Sequence, residues 1–222
     1  RDEDARSREE VVITIGRRPQ SAQSYAGHVN VFSSTDLAKL GVEQDFQALQ
    51  TAVPGLQISV NEGFQEIFVR GIGTQGNSIS SDQPTAVHYN HAYVPKMRGL
   101  GPVMFDIAQV EIHQGPQGTL RGRNATAGTI NIIPNAPNLD SYGAEWLVEN
   151  GRFRHQRNSG MLNIPIVREQ LAARIAYFRR EHDNYYSNAA RPTDSISEVE
   201  GSGYEDEEAW RASLRWQINP KL

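Results

Sequence analysis

Residues 207–219 have the sequence EEAWRASLRWQIN, in which apolar and polar residues alternate. The apolar positions are Trp210, Ala212, Leu214, Trp216 and Ile218. The polar positions between them are Arg211, Ser213, Arg215, Gln217 and Asn219. Successive side chains of a β-strand point to opposite faces of the sheet. The stretch therefore predicts a strand with one apolar face and one polar face.

The same alternation recurs upstream in residues 141–150 and 170–180, and more weakly in 159–167. Its apolar members are Tyr142, Ala144, Trp146, Val148, Leu171, Ala173, Ile175 and Tyr177. A soluble sandwich packs such a face on a core, whereas a transmembrane barrel turns it to lipid. The Trp and Tyr residues stand near strand ends, and a tight turn at 167–169 alternates with a long polar loop at 182–206. This asymmetry favours an outer-membrane barrel.

Composition limits the other possibilities. Hydrophobic residues make up 38% of the 222-residue chain, which also has 19 Gly and 11 Pro, so a mainly β protein is expected. The net charge of -4 gives no basic field for nucleic acid. The absence of Cys excludes disulfides and thiolate metal sites. No apolar run approaches the roughly 18 to 20 residues of a membrane helix.

We expect three segments along the chain. Residues 1–10 are charged and predict a flexible leader. Residues 11–137 predict a small α+β domain, and residues 138–222 predict four antiparallel strands. Four strands cannot close a barrel, so the remaining strands are expected in the same gene or in another chain.

Within residues 11–137, two short helices and six short strands are predicted. The first helix has Ser34 or Thr35 as N-cap and stops at Gly41. The second has apolar residues at helical spacing, namely Phe46, Leu49 and Val53. The strands are predicted at residues 56–60, 66–70, 85–90, 92–95, 108–113 and 129–134.

The stretch VRGIGTQG contains Gly71, Gly73 and Gly76 at the G-x-G-x-x-G spacing of a dinucleotide-binding loop. That motif opens a helix and is followed by an acidic residue about 20 positions later. Here Ser, Asn and Pro follow, and no acid occurs between Asp82 and Asp106. The glycines are better explained by a sharp turn beside a strand.

Several motifs together carry a resemblance to a known family. They are VVITI, LQTAVPGLQIS, IFVRGIGTQG and FDIAQVEIHQGPQGTLRGRNATAGTINII. Their order and spacing resemble the plug domain of TonB-dependent outer-membrane receptors, and the strands that follow resemble the start of the barrel. The resemblance implies an α+β plug followed by a large transmembrane β-barrel of about 22 strands in the bacterial outer membrane, with lipid around it.

The resemblance implies a transport function without catalysis. Such a receptor imports a ferric siderophore, a cobalamin-like molecule or a glycan, and TonB with its inner-membrane complex supplies the energy. The chain shows no catalytic constellation, so no enzyme activity and no cofactor are expected. The alternative is a truncated relative that keeps the plug as a binding or scaffold protein and has lost transport.

The start of the plug resembles a TonB box, the segment that pairs with TonB by β-strand addition. It comprises Glu10, Val11, Val12, Ile13, Thr14 and Ile15. A β-branched run suits this role, because main-chain pairing asks little of side-chain identity. An ordinary first strand of the plug is the alternative.

Three charged residues are implied to hold the plug in the barrel: Arg70, Glu111 and Arg123. Charges enclosed by a barrel need partners, although solubility on a wet lumen face is an alternative role. The sequence departs from the family pattern at several positions. Tyr89-Asn90-His91-Ala92-Tyr93 lacks the usual turn glycine, Gln114 stands where Arg is common, and Arg121 replaces a frequent Tyr.

Two loops, at residues 72–82 and 95–102, are expected to face the ligand. Their candidate contact residues are Gln75, Asn77, Lys96 and Arg98. His88 and His91 suggest a metal site, but residues three apart in a strand point to opposite faces and cannot share an ion without a turn. No metal site is therefore predicted.

Overall fold

The computed structural model describes residues 12–15, 18–21, 27–42, 45–61, 64–75, 82–95, 104–118, 122–186 and 203–218. The chain forms two compact units, Arg1–Asn135 and Ala136–Leu222. The division falls two residues before the boundary expected from sequence at Pro137. No helix among the described residues is long and apolar enough to cross a membrane.

The first unit contains nine strands among its described residues. They are β1 (Val12–Ile15), β2 (Arg18–Ser21), β3 (His28–Ser33), β4 (Leu56–Asn61), β5 (Phe64–Val69), β6 (Thr85–Tyr89), β7 (Ala92–Val94), β8 (Ile107–Gln114) and β9 (Gly128–Pro134). Five of them form a sheet in the order β3-β8-β9-β6-β7, in which β6 and β9 are parallel and the other pairs antiparallel. The pairs β1-β2 and β4-β5 are separate hairpins. The six strands predicted here are all present, whereas β2 and β3 were not predicted.

The helices follow the predicted spacing with one correction. Helix α1 (Ser34–Leu40) ends at Gly41, which adopts the left-handed conformation (φ 71°). Its N-cap is Ser33, so the expectation of Ser34 or Thr35 was wrong by one or two positions. Ser33 is preferred because Asp36, three residues on, completes a capping box with it.

The second helical segment consists of a 3₁₀ turn (Phe46–Ala48) and α2 (Leu49–Ala52). Phe46, Leu49 and Val53 are all buried, as their spacing predicted. They join a core with one face of the five-stranded sheet and the β4-β5 hairpin. Its central members are Ile58, Ile67, Val69, Val87, Val110, Ile112, Ile130 and Ile132.

The second unit is a four-stranded antiparallel meander. Its strands are β10 (Gly143–Asn150), β11 (Gln156–Val167), β12 (Leu171–His182) and β13 (Glu205–Trp216). All four predicted strands are present. The register aligns the alternating patterns of the strands, so that one row across the sheet contains Trp146, Gly160, Tyr177 and Trp210.

Candidate functional site

The glycine-rich stretch begins with a tight β-turn. Val69 and Ile72 exchange two backbone hydrogen bonds of 3.0 Å each. Arg70 (φ 52°) and Gly71 (φ 80°) between them are both left-handed, as a type I′ hairpin turn requires. Gly71 thus turns the chain at the end of β5, and the sequence interpretation of a sharp turn is supported.

Gly73 serves close packing. A Cβ atom at this position would lie 2.1 Å from a carbon of the Phe68 ring, so only glycine lets the ring approach the backbone. Gly76 lies outside the described residues. The two described glycines of the motif therefore have a turn role and a packing role, neither of which involves a nucleotide.

A buried glutamine ties this turn to the neighbouring element. Gln114, at the end of β8, accepts a hydrogen bond from Arg70 Nε (3.0 Å) and donates one to the carbonyl of Pro54 (3.1 Å). The backbone N–H of Arg70 donates to the carbonyl of Gly55. Arginine, common at position 114 in the family, carries only donors and could not accept from Arg70. The departure at Gln114 thus creates an internal contact of the plug.

Glu111 lies in the middle of the plug sheet and is fully buried. Its carboxylate accepts hydrogen bonds from Gln109 Nε2 (3.0 Å) and Asn131 Nδ2 (3.0 Å), and His113 Nε2 lies 3.4 Å away. The register places Asn131 beside Glu111 and His88 beside Asn131, so these polar residues form a row across three strands. A buried carboxylate needs such donors.

The β6-β7 hairpin explains the missing turn glycine. Its two turn residues, Asn90 (φ 46°) and His91 (φ 66°), are both left-handed. Asn and His are among the non-glycine residues that tolerate this conformation best. His91 is exposed, whereas His88 is buried within β6. Among the described residues, no three His, Cys, Asp or Glu side chains could together hold a metal ion.

Arg123 has a plug partner as well. Its guanidinium carbon lies 5.9 Å from the centroid of the Tyr93 ring, within the range of a cation–π contact. Asn124 donates a hydrogen bond of 2.8 Å to the Tyr93 hydroxyl. These contacts connect the segment before β9 to the edge strand β7.

The remaining predicted site residues are only partly described. Val12 to Ile15 form β1, and Gln75 is exposed beyond the glycine turn. The others lie outside the described residues: Glu10, Val11, Asn77, Lys96 and Arg98. The structure thus places Arg70, Glu111 and Arg123 within the first unit, whereas the predicted role of Gln75, Asn77, Lys96 and Arg98 as ligand contacts stays a prediction.

The second unit presents an apolar sheet face to its surroundings. Its exposed members include Trp146 (65%), Leu162 (44%), Ile175 (50%), Trp210 (74%), Leu214 (68%) and Trp216 (68%). The rings of Trp146 and Tyr177 stack at 6.1 Å across Gly160, where a Cβ atom would lie 2.2 Å from the indole. An exposed apolar surface of this size marks an interaction with lipid or protein.

The opposite face is charged. Glu149, Arg157, Arg180 and Glu207 are cross-strand neighbours in one row over all four strands. Arg157 pairs with Glu149 at 3.1 Å, and Arg180 pairs with Glu207 at 3.1 Å. Both guanidinium groups also approach the ring of Phe178, at 5.7 and 6.0 Å. An apolar outer face and a charged inner face are the two surfaces of a barrel wall.

Aromatic contacts fix one end of the sheet. His182, at the end of β12, stacks on Tyr185 at 4.3 Å, and its Nε2 lies 3.1 Å from a carboxylate oxygen of Glu205. Phe153, in the turn after β10, meets Tyr185 edge-on at 5.1 Å. The β10-β11 turn and the ends of β12 and β13 are thus held together.

A buried asparagine holds the segment that enters the sheet. Asn163 accepts from the Asn138 N–H (2.9 Å) and donates to the carbonyls of Asn138 (3.0 Å) and Ser141 (2.8 Å). The Glu169 N–H also donates to the carbonyl of Leu139. Asn163 was not among the site residues predicted from the sequence, because the alternation of a strand already explains a polar residue between the apolar Leu162 and Ile164.

The comparisons agree with this architecture. Residues 21–129 match the family model described as the TonB-dependent receptor plug domain. The pesticin receptor of Yersinia pestis is 26% identical over 200 residues, which cover 87% of this chain and 29% of that protein. The vitamin B12 transporter BtuB of Vibrio vulnificus is 25% identical over 224 residues, which cover 98% of this chain and 34% of the transporter.

A solved structure shows the same fold. The crystal structure of the ferric yersiniabactin uptake receptor FyuA from Yersinia pestis aligns with a TM-score of 0.69 at 23% identity, covering 89% of this chain and 30% of that chain. The chain spans about a third of the length of its curated relatives. The motifs, the plug fold and the strands with one apolar and one charged face agree with these matches. The relatives are transport receptors rather than enzymes. The chain belongs to the TonB-dependent outer-membrane receptors, in which it corresponds to the plug domain and a few barrel strands.

Proposed function

We propose that the protein imports a scarce ligand across the outer membrane with energy supplied through TonB, and that the ligand is a ferric siderophore. The observation that carries this proposal is the sheet of the second unit, which has one apolar face and one charged face. Its apolar face is suited to lipid, and its charged face is suited to the lumen in which a receptor of this family holds its plug.

The substrate class rests on the relatives. FyuA, with 23% identity to this chain, is described as a ferric yersiniabactin uptake receptor. A catecholate siderophore receptor of Escherichia coli, Fiu, is 39% identical over 75 residues. The vitamin B12 transporter supports cobalamin as the competing substrate. The loops at residues 72–82 and 95–102 are the proposed ligand contacts, with Gln75, Asn77, Lys96 and Arg98 as their polar groups.

Hydrogen bonds and a cation–π contact within the plug fix the residues that precede these loops. The first follows the type I′ turn at Arg70, which is tied to Gln114 and Gly55. The second follows β7, whose Tyr93 is held by Asn124 and Arg123. Loops that carry binding residues are commonly positioned by a rigid scaffold in this way. In the proposed function Arg70, Glu111 and Arg123 additionally contact the barrel wall.

The orientation follows from strand order. With the plug entered from the periplasm, β10 runs outward, the short turn at Arg168 is periplasmic and the 183–204 connection is extracellular. The outer end of the sheet is then the one held by His182 and Tyr185. Protease added to intact cells is expected to cleave the 183–204 connection and to spare the Arg168 turn.

Uptake in a host without competing receptors tests the function. Cells that express the protein receive ⁵⁵Fe-labelled yersiniabactin, a ⁵⁵Fe-labelled catecholate siderophore or radiolabelled cyanocobalamin, with and without a functional TonB. We expect TonB-dependent accumulation of at least one ferric siderophore. Binding without accumulation would instead support the scaffold alternative, and accumulation of cyanocobalamin alone would replace the substrate class.

A further inference from the structure

The described part of the proposed TonB box, Val12–Ile15, is already paired within the chain. Strand β1 (Val12–Ile15) forms an antiparallel hairpin with β2 (Arg18–Ser21). The paired positions are Ile15 with Arg18, Thr14 with Pro19, Ile13 with Gln20 and Val12 with Ser21. Strand addition by a partner therefore has two possible edges, one along β1 and the other along β2.

Proline determines which backbone groups face outward. In an antiparallel pair, directly opposite residues alternate between exchanging two hydrogen bonds and pointing their N–H and C=O groups away from each other. Pro19 has no N–H, so it fits only at a position whose nitrogen points away from β1. The Thr14–Pro19 and Val12–Ser21 pairs are therefore the outward-pointing ones. The Ile13–Gln20 and Ile15–Arg18 pairs hold the hairpin together.

The two edges consequently differ. Along β1, both outward residues, Val12 and Thr14, offer an N–H and a C=O to a new strand. Along β2, only Ser21 offers an N–H, because Pro19 has none. Proline on an edge is a common device against strand addition. A third strand can therefore pair fully along β1, whereas pairing along β2 lacks one hydrogen bond.

We propose that the hairpin is a one-sided docking edge: an extended strand of TonB adds alongside β1 through Val12 and Thr14 while β2 stays paired. This inference rests on the proposed function, because it specifies how the TonB box is presented. A two-stranded hairpin is marginally stable on its own, and a third strand adds a second row of backbone hydrogen bonds. TonB binding and hairpin formation therefore reinforce each other.

A matched pair of proline variants tests the edge. Thr14→Pro and Ser21→Pro each remove an outward N–H and leave the pairing between β1 and β2 intact. We expect Thr14→Pro to weaken binding of the purified periplasmic domain of TonB at least tenfold and Ser21→Pro to change it by less than twofold, measured by calorimetry on the detergent-solubilised protein. Equal effects of the two variants, or a harmless Thr14→Pro, would overturn the proposal.

A disulfide tests whether β2 must leave. The chain has no Cys, so Val12→Cys with Ser21→Cys introduces a single possible bridge. Cα atoms of an outward-pointing pair are about 4.5 Å apart, within the range of a disulfide. The oxidised form should bind TonB as tightly as the reduced form or more tightly. Loss of binding on oxidation, restored by reduction, would show that the box is released from β2 first.

Deletion of residues 10–15 separates this inference from the proposed function. If the deletion leaves TonB binding unchanged, the TonB step of the proposed function fails. If the deletion abolishes binding but the two proline variants behave alike, only the choice of edge is wrong.

Discussion

Replacing Asn163 should loosen the junction where the chain enters the barrel strands. Asn163 is 2% exposed and makes three hydrogen bonds to the backbone of Asn138 and Ser141. Leucine has the same number and branching of side-chain heavy atoms as asparagine, and none of them is polar. Asn163→Leu therefore removes all three bonds without opening a cavity, and it leaves one N–H and two carbonyls without their partner.

The size of the effect follows from those three bonds. A hydrogen bond of this kind contributes about 1 kcal/mol net, which gives about 3 kcal/mol in total. Asn138 and Ser141 are exposed, so water can replace part of what is lost. We expect Asn163→Leu to lower the free energy of unfolding by about 2 kcal/mol. Asn163→Asp should cost at least as much, because a carboxylate oxygen would face the two carbonyls.

Tryptophan fluorescence gives a local assay. All three Trp residues of the chain lie in the second unit, so urea unfolding in detergent micelles reports on these strands. Asn158→Leu is the matched control, because it makes the same change in the same strand at a half-exposed position on the other face. The reasoning is refuted if Asn163→Leu and Asn158→Leu unfold within 0.5 kcal/mol of each other, a difference about the size of a surface substitution.

Three further outcomes are expected. His91→Gly should stabilise the plug by about 1 kcal/mol in urea unfolding, because glycine adopts φ 66° without strain. The control Ala92→Gly, in the adjacent strand, should destabilise the plug. A His91→Gly variant that is less stable than the original protein would contradict the turn assignment. Leu214→Glu should cost about 1 kcal/mol or more in lipid, whereas Ser213→Glu on the charged face should cost little; equal costs would mean that the apolar face is not against lipid. The hydrogen bonds from the Ser33 side chain and backbone lower the pKa of Asp36 below its ordinary value of 3.8. The charge of Asp36 therefore stabilises α1 above about pH 4. This contribution is lost as the pH falls through the lowered pKa. The stability difference between the protein and Asp36→Asn should therefore be larger at pH 7 than in acid; a difference that does not change with pH would exclude the carboxylate as its source.

Periodicity predicted the elements of this fold because it depends on burial alone. The alternation in β12 and β13 predicted the strands and the face that each turns outward, and the helical spacing of Phe46, Leu49 and Val53 predicted their burial. Periodicity did not predict the order of the strands in the sheets. Neighbours such as β3 and β8, or β6 and β9, are far apart in sequence, and no local pattern records such pairings.

The weakest predicted strand, β11, shows why local patterns fail at special positions. Gly160 interrupts its apolar face because the Trp146 ring occupies the space of a side chain. Asn163 follows the alternation, because it lies on the charged face, but the pattern does not reveal that it binds the backbone of the entering segment. Gln114 is a similar case in the plug, where the sequence showed a departure from the family and the structure shows two hydrogen bonds. In each case the role of the residue depends on partners that are distant in sequence.

The position of β3 connects the proposed docking edge to movement of the plug. In the proposed function, tension applied by TonB at β1 would reach His28, the first residue of β3. Among the described strands β3 pairs with β8 alone, so its removal leaves the pairing of β8, β9, β6 and β7 intact. Its loss would uncover the edge of β8, the strand that carries the buried Glu111 and its hydrogen-bond partner Gln109. In the proposed mechanism, therefore, β3 yields first, and the hydration of Glu111 that follows weakens the centre of the sheet without breaking the turns that support the ligand loops.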